Sequence, residues 1–236
     1  MFACQKALAF FGAIFRQDLV TAFVWRLSMR PILRGKKVGL LAPKIVVLTK
    51  SGGVDDLLEI RQDYAGSATF YGLNRQFIKI LYNNYLSKSG ISDDNYRNFD
   101  SGLQKQKALY RKRLMRTCYY LKLINVKAFI SFNISYRAEI ELSFASAEAG
   151  IKFIVLHKEC LRVPSEMKRW SIDLGRNHPI MHPQTVVSVY NNACRQALID
   201  SGVLLPTQLL VNGCARLDIS HQSRRQRNHH QTRRKV

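Results

Sequence analysis

Acidic side chains are scarce in this chain of 236 residues. It carries 16 Asp and Glu against 37 Lys and Arg, so its formal net charge is +21. This excess of basic residues indicates a polyanionic partner: a nucleic acid, a phosphorylated substrate or an anionic membrane surface. The apolar content of 47% is that of an ordinary globular protein and excludes wholesale disorder.

The chain also lacks the cysteine patterns of metal sites and disulfide frameworks. Its cysteines are odd in number and widely spaced, without a CxxC pair or a Cys/His cluster: Cys4, Cys118, Cys160, Cys194 and Cys214. We therefore expect reduced, mostly buried thiols, as in a cytosolic protein. The pair His229 and His230 has no further ligands at fixed spacing, so we expect neither a metal nor a cofactor.

No apolar run is long enough to span a bilayer. The longest early run, at residues 7–15, lies between Lys6 and Arg16 and is far shorter than the ~20 residues that a spanning helix needs. Apolar residues nevertheless recur at helical spacing near the N-terminus: Leu8, Phe11, Phe15, Leu19 and Phe23. Such a basic, apolar helix either lies on an anionic membrane or packs on the body of the protein. Phe10, Ile14, Val24 and Trp25 fall off the stripe and favour packing.

From residue 45 onward, short β-branched runs alternate with longer amphipathic segments. Strands are predicted at 44–48, 67–71, 128–132, 152–156, 185–189 and 208–212, and helices at 54–62, 74–86, 103–125, 136–149 and 192–200. This alternation predicts an α/β fold with a doubly wound parallel sheet, similar to the Rossmann fold. We divide the chain into a basic helical extension (1–44), the α/β domain (45–218) and a tail (219–236).

Two basic segments are interpreted as exposed. The helix at 103–125 has one apolar stripe, and we expect its charge run to form a solvated face: Lys105, Lys107, Arg111, Lys112, Arg113 and Arg116. The tail has six basic residues, three histidines and no acid, so we expect it to be disordered.

Ligands of open parallel sheets bind outside the carboxyl ends of the strands. Four segments follow predicted strands in this way. Ser51, Gly52 and Gly53 suit an anion at a helix N-terminus or a tight turn. Asn133 suits a hydroxylated ligand, while Ser135 in the same loop suits an N-cap, the interpretation that we favour.

The other two segments carry ionisable side chains. His157 directly follows a strand and is placed to act as a general base or to bind phosphate, with Glu159 orienting it and Lys158 beside it. Arg216 follows the last strand and either pairs with Asp218 or faces a phosphate.

Several of these segments resemble a family of bacterial glycosyltransferase-like proteins that build surface polysaccharides. The similar stretches are Phe132-Asn133, Tyr136 to Glu139, Leu156 to Cys160, Val189 to Asn192, and Val211 to Asp218. The family resembles capsule and lipopolysaccharide biosynthesis proteins of the GT-B fold. It is related in architecture to UDP-N-acetylglucosamine 2-epimerases and CDP-glycerol glycerophosphotransferases. The resemblance covers residues 45–218, most densely 128–218.

The resemblance implies that this chain is the N-terminal half of a GT-B architecture. In such proteins one Rossmann-like domain binds a glycan or lipid-linked acceptor, and a second binds the nucleotide-activated sugar. The second domain is missing here, and residues 219–236 stand in its place, as in a truncated or frameshifted chain. We therefore expect the chain alone to be inactive. In a full-length relative, His157 is the acceptor base or phosphate ligand, Glu159 supports it, and residues 51–53 lie against the acceptor.

Two other functions remain open from the sequence. A basic nucleic-acid-binding protein explains the charge but not its scattered distribution, and no recognition motif accompanies it, so we expect no specific nucleic-acid partner. A non-enzymatic scaffold on a membrane surface would use the N-terminal segment. We expect a cytoplasmic protein, and a peripheral location on the inner face of the cytoplasmic membrane stays open as an alternative.

Overall fold

The structure, a computed structural model, describes residues 18–34, 42–49, 57, 66–86, 101–157, 164–177 and 181–213. The helices are α1 (Asp18–Ser28), α2 (Gln76–Tyr85), α3 (Ser101–Leu123), α4 (Arg137–Glu148), α5 (Pro164–Asn177) and α6 (Asn192–Asp200). The strands are β1 (Arg30–Arg34), β2 (Lys44–Thr49), β3 (Thr69–Asn74), β4 (Val126–Ser131), β5 (Lys152–Leu156), β6 (Val186–Val189) and β7 (Leu209–Val211), the last preceded by a 3-10 helix at Pro206–Gln208.

These strands form one seven-stranded sheet in the order β1-β3-β2-β4-β5-β6-β7. All neighbouring pairs are parallel except β1 and β3, which are antiparallel. The sequence-based prediction of an α/β, Rossmann-like doubly wound fold is therefore confirmed.

The strand order places a topological switch point at β2. β3 lies on one side of β2 and β4 on the other, so the chain reverses its direction of travel across the sheet there. In open α/β sheets, ligands bind at such a switch point, in a crevice outside the carboxyl ends of the strands, which here are β2 and β4. The fold thus selects one edge of the sheet as the place for a ligand.

Apolar side chains cover both faces of the sheet. Phe129 and Phe153 point to the larger cluster, where the described helices pack. Val47 and Ile130 point to a smaller cluster on the other face, together with Leu57, which is helical. This alternation along the strands explains why the strands are continuous apolar runs in the sequence.

Helix α4 is buried on nearly all sides because it lies between the sheet and α3. Its buried residues include serines and glutamates as well as apolar residues. Ile140, Phe144 and Ala147 recur at helical spacing, but only Ile140 is fully buried, and Phe144 and Ala147 are half-buried. The helix ends before Gly150, whose φ of 71° is the left-handed conformation typical of a glycine just after a helix.

The long helix α3 confirms one prediction and corrects another. Its apolar stripe is buried as expected, at Tyr110, Leu114, Cys118 and Leu121. Its charge run is not uniformly solvated. Lys107 and Arg111 pair with Glu141, and Arg113 and Arg116 pair with Asp18. These pairs tie α3 to α4 and to α1.

Two elements were not predicted. Strand β1 lies inside the segment that was expected to be helical; Pro31 is tolerated because β1 is an edge strand. Helix α5 has a largely polar sequence. Met167 and Trp170 lie at helical spacing and pack on the core, but two apolar residues were too few to predict a helix. Among the described residues, no helix is long and apolar enough to cross a membrane.

Candidate functional site

The conspicuous sequence motifs lie together at the carboxyl edge of the sheet. Asn133 follows β4, His157 follows β5, Asn191 follows β6 and Asn212 follows β7. These four strands are parallel and adjacent, so the segments after them share one edge. The edge is held together by main-chain bonds from His157 N to Ser188 O (2.9 Å) and from Asn212 N to Val189 O (3.1 Å).

A fully buried carboxylate lies at this edge, beside the switch point. Glu139 belongs to the first turn of α4 and has no solvent exposure. Its Oε1 contacts Nε of Arg75, and its Oε2 accepts a hydrogen bond from Oγ of Ser131, the last residue of β4. A buried charge is tolerated only where it is paired and hydrogen-bonded, and both conditions are met here.

Arg75 connects three elements of the crevice. It directly follows β3, and its main-chain N–H donates to Thr49 O at the end of β2 (3.2 Å). Its guanidinium reaches Glu139 in α4 and lies over the Tyr136 ring, with Cζ 3.5 Å from the ring centroid. The Arg75 side chain is 15% exposed, so its cation is accessible to solvent beside the switch point, next to the Tyr136 ring.

Asn133 shapes the loop between β4 and α4. It is buried, and its Oδ1 accepts from the main-chain N–H of Ser135 (2.6 Å), while its own N–H donates to Ser131 Oγ (3.5 Å). The predicted N-cap at Ser135 is wrong, since Tyr136 occupies the N-cap position and forms no side-chain cap bond. The Asn133 side chain instead closes a turn within the loop before the helix begins.

His157 lies where the strand-end rule put it, but its ring is covered. The residue is 1% exposed, and its ring stacks on Trp170 of α5, with centroids 5.9 Å apart and planes 17° apart. A general base must reach the proton that it removes. In this conformation the ring is covered, with Trp170 on one face, and a role as base needs the ring to be uncovered.

Six of the predicted site residues lie outside the described residues: Ser51, Gly52, Gly53, Lys158, Glu159 and Arg216. Sequence reasoning missed Arg75 and Ser131, and it noted Glu139 only as part of a motif. Their positions relative to the strand ends could have identified them. Both missed residues lie at the carboxyl end of a strand, and Glu139 lies in the first turn of the next helix.

A second buried carboxylate, that of Glu141, joins two helices and takes no part in the Glu139 cluster. Glu141 accepts from Arg111 Nε (2.9 Å) and lies 3.2 Å from Lys107 Nζ, which joins α4 to α3. The Tyr110 hydroxyl beside it donates to Ala138 O (3.5 Å). Burial first, and the Glu141 charge second, raise the pKa of Tyr110 well above its usual value, so its hydroxyl stays neutral.

Among the described residues, no group of His, Cys, Asp and Glu side chains is arranged to hold a metal ion. Neither of the two described cavities is lined by Arg75, Tyr136 or Glu139. One of about 540 Å³ is a groove between α5 and α6, and one of about 240 Å³ lies at the amino ends of β5 and β6.

No protein-family model matches the chain, and no curated protein or solved structure is significantly similar to it. The fold and the edge geometry are therefore the evidence on which function has to be argued.

Two buried serines test the importance of the Glu139 cluster. Ser131→Ala removes a donor to a buried charge, so we expect the free energy of unfolding to fall by about 2 kcal/mol. Ser146→Ala is the matched control, because Ser146 is equally buried but donates only to Ser143 O in its own helix (3.1 Å). We expect it to cost less than about 1 kcal/mol. Urea unfolding measures both, and equal losses would contradict the account.

Covering of His157 is testable by chemical modification. We expect diethyl pyrocarbonate to modify His182 well before His157, because His182 is partly exposed and burial lowers its pKa, which keeps the ring nucleophilic. Peptide mass mapping over time separates the two sites. Equal rates would mean that Trp170 opens readily in solution and that His157 is accessible as a base.

Proposed function

We propose that this chain is the acceptor-side domain of a GT-B-type glycosyltransferase of bacterial surface polysaccharide synthesis. Full-length relatives would transfer a sugar or a polyol phosphate from a nucleotide-activated donor to a glycan or lipid-linked acceptor. The observation that carries the proposal is the clustering of the motifs. The stretches that resemble the family follow β4, β5, β6 and β7, at the edge where α/β sheets bind ligands.

The chemistry of the crevice supports an acceptor with hydroxyl and phosphate groups. Arg75 and Tyr136 meet solvent beside the switch point, and an arginine beside an aromatic ring suits an anionic saccharide. Glu139 takes up part of the Arg75 charge and holds its guanidinium in place. Because it is already positioned, such a group loses little conformational entropy when a ligand binds.

Transfer in this architecture depends on two domains that face each other. The donor diphosphate and the acceptor hydroxyl must be held in line across a cleft, with the leaving group stabilised electrostatically. The described strands form one sheet. In the proposed architecture this sheet would be one side of such a cleft. We therefore expect acceptor binding without transfer. His157, supported by Glu159, remains our proposed base or phosphate ligand in a complete enzyme, where domain closure would have to uncover it.

Nucleic-acid binding has less support from the structure than from the composition. Four basic residues of the most basic helix, α3, are engaged in ion pairs with Glu141 and Asp18. A surface that neutralises many phosphates needs basic side chains that are available to release counterions. The charge of α3 is instead partly used to join helices.

We also propose that the chain works in the cytoplasm at the inner face of the cytoplasmic membrane, where nucleotide-activated sugars meet lipid-linked acceptors. The net charge of +21 suits the anionic surface of that leaflet.

Binding of defined probes to the purified chain tests the proposal. We expect N-acetylglucosamine 1-phosphate to shift the amide resonances of Asn133, Tyr136 and Asn191, and UDP-N-acetylglucosamine to be neither bound tightly nor hydrolysed. Tyr136→Ala should weaken saccharide-phosphate binding by about tenfold, the scale of one lost aromatic contact. Tyr120→Ala is the matched control, because this half-exposed tyrosine lies on α3.

Three results would contradict the proposal. One is an absence of shifts with the saccharide phosphate, and another is shifts confined to the amino edge of the sheet. The third is turnover of the nucleotide sugar by this chain alone. Tight binding of duplex DNA that weakens steeply with salt would favour the nucleic-acid alternative instead.

A further inference from the structure

Helix α1 has two apolar faces, of which only one packs on the protein. Val24 and Trp25 on the inner face are buried in the main core. Leu19, Phe23 and Leu27 follow one another at intervals of four residues, so they share the opposite face. They are 58%, 59% and 47% exposed. The inner face therefore packs on the protein, and the outer face is exposed.

Exposed apolar side chains in a continuous stripe are uncommon on a protein that meets only water. The neighbouring Val20 is also exposed, at 37%. The stripe continues the sequence pattern of Leu8, Phe11 and Phe15 toward the N-terminus, which lies outside the described residues. An apolar stripe on an exposed helix face is typical of a surface that meets an apolar phase.

The charge around α1 is positive. Residues 1–50 contain nine basic residues and one acid, Asp18. That acid is paired with Arg113 and Arg116 of α3, so its charge is neutralised within the fold. Arg26 and Arg30 are exposed on or directly after α1, and Lys105 and Lys112 are exposed on α3, against which α1 packs.

We propose that the outer face of α1, formed by Leu19, Phe23 and Leu27, docks on an anionic lipid bilayer. An apolar stripe flanked by basic side chains binds such a surface by burying apolar area below the headgroups and by attraction to anionic lipids. Self-association through the same face fits less well. Two copies meeting there would bring their Arg26 side chains and the surrounding positive charge together.

This inference rests on the proposed membrane location and names the surface that would establish it. Its test is separate from that of the saccharide site, because the lipid-binding face is formed by Leu19, Phe23 and Leu27, whereas the saccharide site is formed by Arg75 and Tyr136. A failure of lipid binding would therefore overturn this inference alone. The saccharide-phosphate titration would still test the proposed acceptor site independently.

Vesicle co-sedimentation of the full chain tests the inference. We expect binding to vesicles of phosphatidylethanolamine with phosphatidylglycerol, and much weaker binding to phosphatidylcholine vesicles. The variant with Leu19→Ser and Phe23→Ser should bind the anionic vesicles about tenfold or more weakly, because two apolar contacts are lost. Leu205→Ser is the matched control: Leu205 is 53% exposed but lies before the 3-10 helix. It should bind as the unmodified chain does.

A charge variant provides a second, independent measurement. Arg26→Glu should weaken binding to anionic vesicles and leave the weak binding to neutral vesicles unchanged, and added salt should reduce the difference. Several results would overturn the inference: no sedimentation of the unmodified chain, equal binding to both kinds of vesicle, or unchanged binding of the double serine variant. A dimer in ultracentrifugation that the serine variant dissociates would assign the face to a second copy.

Discussion

The carboxylate of Glu139 has no contact with water, and that fact constrains everything around it. A charge in such a place must be met by a cation and by donors, so Arg75 and Ser131 must be where they are. Arg75 in turn follows β3 and bonds to the end of β2, and Ser131 ends β4. One side chain therefore fixes three strand ends and the start of α4 relative to one another. These are the elements that border the switch point.

The same arrangement links stability to function. A crevice at the switch point is useful only if its walls keep their positions when a ligand is absent. The Glu139 pair provides this rigidity from inside, while Arg75 and Tyr136 present a cation and a ring to solvent. Helix α1 has its own division between a packed face and an exposed face. The proposed acceptor site and the proposed membrane surface therefore use different side chains.

The sequence was sufficient for the elements whose burial is simple. β2, β4 and β5 are continuous apolar runs because both faces of the sheet are covered, and α3 shows one clear stripe. The sequence was insufficient for α4, which is buried on nearly all sides, for α5, which is largely polar, and for the edge strand β1. The Glu139 cluster escaped prediction because its members lie far apart in the chain: Arg75 and Glu139 are 64 residues apart. Only the strand order brings them together.

A double-mutant cycle on Arg75 and Glu139 tests this account most directly. Arg75→Met leaves a buried carboxylate without its cation, and Glu139→Gln leaves the cation without its carboxylate. We expect the first change to lower the free energy of unfolding by about 3–5 kcal/mol, and the double variant to cost much less than the two single changes added together. Additive losses, or a loss below about 1 kcal/mol for Arg75→Met, would show that the buried pair does not organise the edge.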